Sequence, residues 1–234
     1  MVYIRKFYGG KMKEIRTETL TIVPFELKYL NDYYSGFDKE ITKYQYPDSF
    51  DSVEVARACL KNHFRHLHAP LCVIFAPHSV DVARYASFIW HKSLTNCGAH
   101  LTESIFQTRS RTLLQEFIDD MNRGEMLFLA ILDQKGAFAG GLEVHGLAEE
   151  YPELGIWLKK DFQGKGYAYE ALRSVLQYLN QTCQKEWYVY EADIRNKPSI
   201  GLAAKFSYRK EGIDEFTTES GKELKLQRYL INIK

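Results

Sequence analysis

A charge excess of either sign is missing from this sequence of 234 residues. Its 31 Lys and Arg stand against 30 Asp and Glu, a formal net charge of +1. A protein that holds nucleic acid normally carries a basic surplus, so that class is set aside. Long apolar runs are missing too. The longest, such as Met126–Leu132, fall far short of the ~20 residues that a membrane-spanning helix needs. The opening Met-Val-Tyr-Ile-Arg-Lys has no apolar stretch of the signal-peptide kind. The expectation is a cytoplasmic protein with neither a membrane nor a nucleic-acid partner. Cysteines number four. A domain of this size buries roughly 70–75% of its unfolded surface, so its core requires no disulfide or metal. Acidic residues are scarce in one place: between 66 and 112 only Asp81 and Glu103 occur.

What is present argues for a folded chain. Apolar residues make up 45%, and aromatics 14% with 16 Tyr and 14 Phe, which excludes a disordered composition. Six of the seven histidines (His63, His66, His68, His78, His91, His100) lie between residues 63 and 100. The spacing His63-x-x-His66-x-His68 invites a metal reading. No Cys-x-x-Cys and hardly any carboxylate accompanies it, so no metal is expected. Residues 1–13 read as a basic leader and 14–234 as one domain, with an insertion at about 66–112 that reads as an extra strand plus helix.

The patterning mixes strands and helices. Alternation gives strands at Glu18–Val23, Ala137–His145, Glu153–Leu158 and Trp187–Asp193, and continuous apolar runs give Leu71–Ala76 and Met126–Leu132. Helical spacing places helices at Glu26–Tyr34, at 51–69, from Thr102 to Asn122, at Tyr169–Asn180 and at Pro198–Phe206. Asp133-Gln134-Lys135-Gly136 reads as a hairpin turn. Tyr208–Phe216 and Glu223–Ile233 close the chain as a second hairpin. The fold class is α/β (α+β), a mixed sheet flanked by helices.

One stretch carries chemistry. The strand ending Gly155-Ile156-Trp157-Leu158 runs through Lys159-Lys160-Asp161-Phe162 into Gln163-Gly164-Lys165-Gly166-Tyr167-Ala168 and on into a helix. Glycines there let the backbone turn tightly and approach a ligand. The free N–H groups at the start of the helix favour an anion. It is neither G-x-G-x-x-G nor a P-loop. A phosphate cradle over Gln163–Ala168 is one reading and a plain strand-to-helix turn is the other.

These residues resemble the GNAT N-acetyltransferase superfamily, whose Gln/Arg-x-x-Gly-x-Gly/Ala signature matches Gln163 to Ala168. Glu153-Leu154-Gly155-Ile156-Trp157-Leu158 is similar to the preceding strand in the ribosomal-protein-alanine/serine N-acetyltransferase branch. So are Glu191 to Ser199, with their Asn-x-x-Ser helix start, and the opening strand Glu18 to Pro24. The resemblance covers about 14–65 and 113–234. It implies a splayed GNAT-type sheet, acetyl-CoA as co-substrate, an amine acceptor (a small molecule or a protein N-terminus) and a monomer or homodimer. Backbone N–H groups of Gln163, Gly164, Lys165, Gly166, Tyr167 and Ala168 would hold the pyrophosphate. The backbone of Ile156, Trp157 and Leu158 would pair with pantetheine, and Asn196 would hold the coenzyme or the loop.

Direct attack by the amine, as the family uses, needs a base, an oxyanion donor and an acid, and no cysteine nucleophile. Glu153 is the first choice of base, because it opens the strand beside the acetyl site, with Glu191 and Glu143 as alternatives. Each also reads as a strand-edge carboxylate. Where many superfamily members have a Tyr acid, this chain has Ala203. In the ribosomal branch a Ser takes the role, and Ser199 holds its place, although it equally reads as a residue satisfying a helix start. Ser207-Tyr208 replaces the usual Gly-Phe. These departures leave one alternative function, a non-catalytic acyl-CoA-binding or interaction protein.

Overall fold

Alternating apolar residues along the strands give the sheet two buried faces, each of which needs cover. The computed structural model describes residues 14–46, 48–49, 126–218 and 220–233. The expected leader, the helices at 51–69 and 102–122, and the insertion at 66–112 with its histidines lie outside the described residues.

Among the described residues one eight-stranded mixed sheet forms. Its strands are β1 (Ile15–Arg16), β2 (Leu20–Pro24), β3 (Leu127–Asp133), β4 (Phe138–His145), β5 (Glu153–Leu158), β6 (Tyr188–Asp193), β7 (Ser207–Thr217) and β8 (Glu223–Asn232). Their spatial order is β1-β2-β3-β4-β5-β6-β8-β7. Three helices accompany them: α1 (Leu30–Gly36), α2 (Tyr167–Cys183) and α3 (Lys197–Ala203). Short 3-10 turns lie at Leu27–Tyr29, Ile41–Tyr44 and Lys160–Phe162.

The Glu153–Leu158 strand has the expected bounds, and the Asp133–Gly136 turn forms. Gly136 N–H donates to the Asp133 carbonyl at 2.9 Å, and Asp133 Oδ1 accepts from the N–H groups of Lys135 and Ala137. Other bounds differ. The expected helix Glu26–Tyr34 is a 3-10 turn followed by α1, which runs on to Gly36. Pro24 is the last residue of β2 rather than the first beyond it. α2 begins at Tyr167, two residues before the expected Tyr169, because Gly166 starts it from a left-handed conformation (φ +85°). α3 ends at Ala203, short of the expected Phe206.

One face of the sheet buries Leu129, Ile131, Leu142, Val144, Tyr188 and Tyr190 with α2 and α3. Leu172, Val175, Leu176 and Leu179 form the stripe that α2 contributes. Each large side chain buried there is worth about 1.5–3 kcal/mol. The other face packs aromatics beneath α1: Phe25, Tyr33, Phe37, Phe128, Phe138 and Trp157. Phe25 stacks on Phe128 at 4.3 Å between ring centroids, and Tyr33 meets Trp157 edge-on at 5.0 Å.

All neighbouring strands are antiparallel except β5 and β6. That parallel pair is held by only two register partners, Glu153 with Val189 and Leu154 with Tyr190. Beyond them the sheet opens as a V. β5 continues with β4 as far as Leu158, and β6 continues with β8 as far as Asp193. Each arm therefore keeps its outer neighbour and loses its inner one. That leaves backbone groups of Gly155–Leu158 facing the gap without a strand partner.

Candidate active site

The glycine-bearing loop caps the open end of the V. Gln163 Nε2 donates to the Leu158 carbonyl at 3.0 Å, which folds the loop back onto the end of β5. Gly164 and Gly166 both have positive φ, +72° and +85°, and a Cβ on either would meet open space. Glycine is required at these positions by backbone conformation, not by crowding. No side chain caps α2, so its first-turn N–H groups are available to an outside acceptor. The acid of that first turn, Glu170, is drawn away. Its carboxylate accepts from Thr19 N–H at 2.9 Å and Thr19 Oγ1 at 2.5 Å. Burial works against its charge, but hydrogen bonds from Thr17 and Thr19 hold the carboxyl below its ordinary value. A long uncapped helix that starts from a glycine loop fits a pyrophosphate.

The expected coenzyme residues thus gather around one gap. Ile156, Trp157 and Leu158 form one arm, Gln163–Ala168 its end, and Asn196 lies just past the other arm. Asn196 is also the N-cap of α3, since its Oδ1 accepts from Ser199 N–H at 3.3 Å. Its amide nitrogen has no partner among the described residues. Trp157 contributes to the gap through its backbone only, because its indole lies in the aromatic layer beneath α1.

The three candidate bases share one face of the sheet, the α1 face. Glu143 stands opposite Gly155, and His145 opposite Glu153. His145 Nε2 lies 3.2 Å from Glu143 Oε2. Glu153 and Glu191 sit on the two strands at the point where they part. Glu191 has 16% of its side chain exposed, against 24% for Glu143. The Glu191 carboxyl is pushed up to about 7, by burial first and by the neighbouring Glu153 charge second. Arg228, 3.5 Å away on β8, pulls in the opposite direction, and Asp214 adds to the rise. A carboxyl held near neutral pH is suited to accept a proton there.

On the opposite face of β6 the sequence reading missed Tyr190. It is paired with Leu154 at the apex of the V and is 4% exposed. Burial pushes its phenol up to about 12, opposed by a hydrogen bond with Ser199. The expected acid Ser199 therefore comes with a protonated phenol behind it. In the sequence, Tyr190 is one of several aromatics in an apolar strand, and only the position of the apex singles it out. Cys183 is half-buried at the end of α2, and burial raises its thiol, which suits a packing residue. Among the described residues no group of His, Cys, Asp and Glu could hold a metal ion. The His63–His68 spacing lies outside them. No helix among the described residues is long and apolar enough to cross a membrane.

Residues 94–208 match the model of the acetyltransferase (GNAT) family, and residues 60–118 match that of a family of unknown function. No curated protein matches the sequence. Among solved structures the fold is similar to that of spermidine N-acetyltransferase from Vibrio cholerae, in complex with CoA and spermine. The TM-score is 0.59 and the identity 14%, over 92% of this chain and 96% of that one. It is also similar to RimL, a ribosomal L7/L12 alpha-N-protein acetyltransferase in complex with coenzyme A. There the TM-score is 0.55 at 17% identity, over 94% of this chain and 98% of that one. The microcin C7 self immunity acetyltransferase MccE, in complex with acetyl-CoA and AMP, matches with a TM-score of 0.53 and 17% identity, over 93% and 94% of the two chains. At such identities the likeness speaks for the fold alone. The match and the fold together make the chain similar to the GNAT acetyltransferases.

Proposed function

We propose that this protein transfers acetyl from acetyl-CoA to a primary amine by direct attack in a ternary complex. The observation that carries the reading is the V between β5 and β6, which opens onto the uncapped start of α2. Gln163–Ala168 would hold the pyrophosphate, and the unpaired backbone of Ile156–Leu158 would line the pantetheine arm. Acetyl-CoA supplies an activated thioester.

Glu191 takes the proton of the attacking amine, and Glu153 acts through it by raising its pKa. A C–N bond forms and the C–S bond breaks. The leaving thiolate takes a proton from the Ser199 hydroxyl, which is hydrogen-bonded to the Tyr190 phenol; Glu191 then releases its proton to solvent and Ser199 regains one from solvent, so both return to their starting states. The resemblance to the ribosomal-protein branch, with RimL among the structural neighbours, directs the acceptor toward an N-terminal α-amine. Such an amine, with a pKa near ~8, is deprotonated far more often at neutral pH than a lysine near ~10.4.

The test is thiol release from acetyl-CoA with a panel of small amines and peptide N-termini, paired with coenzyme A titration followed by melting temperature. Acetyl-CoA-dependent turnover on at least one amine is expected. Tight coenzyme binding with no turnover on any amine would leave a coenzyme-binding protein without transfer. No thermal response to coenzyme A or acetyl-CoA would remove the coenzyme site as well.

A further inference from the structure

On the α1 side of the sheet, past the end of β6, lies an open cavity of about 770 Å³. Its walls are the 3-10 turn Ile41–Tyr44, the loop after β6 and the β7–β8 turn. We propose that this cavity binds an anionic group, a carboxylate or phosphate, carried by the amine acceptor. Lys39 and Lys43 are then the residues that set specificity. The proposal rests on the transferase reading above and names the substrate class for it.

Four cations line the cavity, Lys39, Lys43, Arg195 and Lys222, against two carboxylates, Asp48 and Glu223. Lys222 and Asp48 neutralise each other at 2.6 Å. Arg195 is partly committed, since Nε and Nη2 donate to the buried Asp193 at 2.7 and 2.8 Å. Lys39 and Lys43 have no carboxylate partner among the described residues. Lys43 Nζ and the Arg195 guanidinium both lie against the Tyr44 ring, at 5.0 and 5.4 Å from its centroid. The ring holds both cations at the cavity wall.

The position of the cavity gives the charge pattern its meaning. Glu191 and Asp193 lie on the same face of β6, about 7 Å apart at the rise of a strand. Arg195, in the turn that follows β6 and clamped to Asp193, carries the line into the cavity. Along this face the charge changes sign, from Glu143, Glu153 and Glu191 at the V to the lysines at the cavity. Such a gradient draws an ammonium toward the V and an anion toward the cavity, so it orients the acceptor amine-first.

The probes are triglycine against triglycinamide, for a carboxylate, and Gly-Gly-phosphoserine amide against Gly-Gly-serine amide, for a phosphate. Each is titrated calorimetrically into the full chain saturated with coenzyme A, and then assayed as an acetyl acceptor. At least one anionic probe is expected to bind about tenfold tighter than its neutral partner, and which one does so identifies the anion. The preference should vanish in the Lys39→Gln, Lys43→Gln double variant, while coenzyme A affinity and melting temperature hold. Equal binding within both pairs, or no binding by any probe, overturns the proposal. So does a preference that survives the double variant, and so does a double variant that loses coenzyme A instead. Equal transfer to both members of each pair would overturn it while leaving the transferase reading intact. Lysine-dependent anion binding without transfer would keep the site and remove the transferase reading.

Discussion

Glu191, the carboxylate proposed as the base, shows how little of such a role belongs to the residue itself. Three glutamates with similar sequence surroundings point to the α1 face, and the sequence could nominate all three without ranking them. Glu153 ranks first there because it opens a strand. In the fold, cross-strand neighbours raise Glu191 instead: burial, Glu153 from β5 and Asp214 from β7, against Arg228 from β8. Glu191→Gln should lower kcat about 10²-fold and leave the KM for acetyl-CoA nearly unchanged; equal loss in both would point to binding instead. The wild-type kcat/KM should fall as pH drops through about 7, where Glu191 takes up its proton. Glu153→Gln removes a like charge, so that fall should move to lower pH, and Arg228→Gln should move it higher. The same shift acts on stability with a definite sign. Because the folded pKa lies above the unfolded one, the fold favours the protonated form. This contribution is complete below the unfolded value and is lost as pH rises through about 7. Glu191→Gln should therefore raise the melting temperature at pH 8, by the equivalent of at most about 3 kcal/mol, and should change it little at pH 4.

At the scale of elements, β5 and α2 were legible in the sequence because their signals are local. Alternation bounds β5, and the glycine loop followed by a 3.6-residue stripe defines α2. β1, only two residues long, is too short to show alternation. The 3-10 turns have no period of their own. The V has no local signal whatever, since it is a failure of pairing between strands that lie far apart in the chain. Where α2 begins, one backbone conformation matters. Gly166→Ala puts a methyl into open space but forces a side chain to φ +85°, at a cost of about 1–2 kcal/mol. The expected result is a lower melting temperature and about tenfold weaker acetyl-CoA binding, with kcat retained at saturating coenzyme. A kcat loss with unchanged coenzyme affinity would detach this loop from the coenzyme. At the start of α3, Asn196→Ala should cost about 1 kcal/mol in stability as a lost cap. A loss of coenzyme affinity beyond that would show that its free amide nitrogen also serves the ligand.

In the whole molecule the sheet is two half-sheets hinged at Glu153–Leu154 and Val189–Tyr190. Among the described residues they are also joined by the α2 and α3 core on one face and, on the other, by the Arg195–Tyr44 and Tyr46–Phe216 contacts and by Lys222. Its ammonium donates to the carbonyls of Thr42 and Gln45 at 2.7 and 2.8 Å and to Asp48 at 2.6 Å. That ties the β7–β8 turn to the segment after α1. Lys222→Met takes a part-buried donor from two carbonyls and a carboxylate and should cost about 2 kcal/mol, read as a lower denaturation midpoint. The sequence shows Lys222 only as one more turn lysine, because its three acceptors lie far away in the chain. A ligand that fills the V would supply what the hinge lacks, a partner for the inner edge of β5. At a hundred times its Kd, coenzyme A should stabilise the fold by about 2.7 kcal/mol, a rise of roughly 5–10 °C for a chain of this size. The gain should be local before it is global. Amide hydrogen exchange of Ile156–Leu158 and of Tyr167–Tyr169 should slow about tenfold or more on binding, while the β7–β8 ribbon, paired on its own, should change little. A melting-temperature rise with no added protection at Ile156–Leu158 would place the coenzyme outside the V, and the hinge would then be a feature of the sheet with no part in binding.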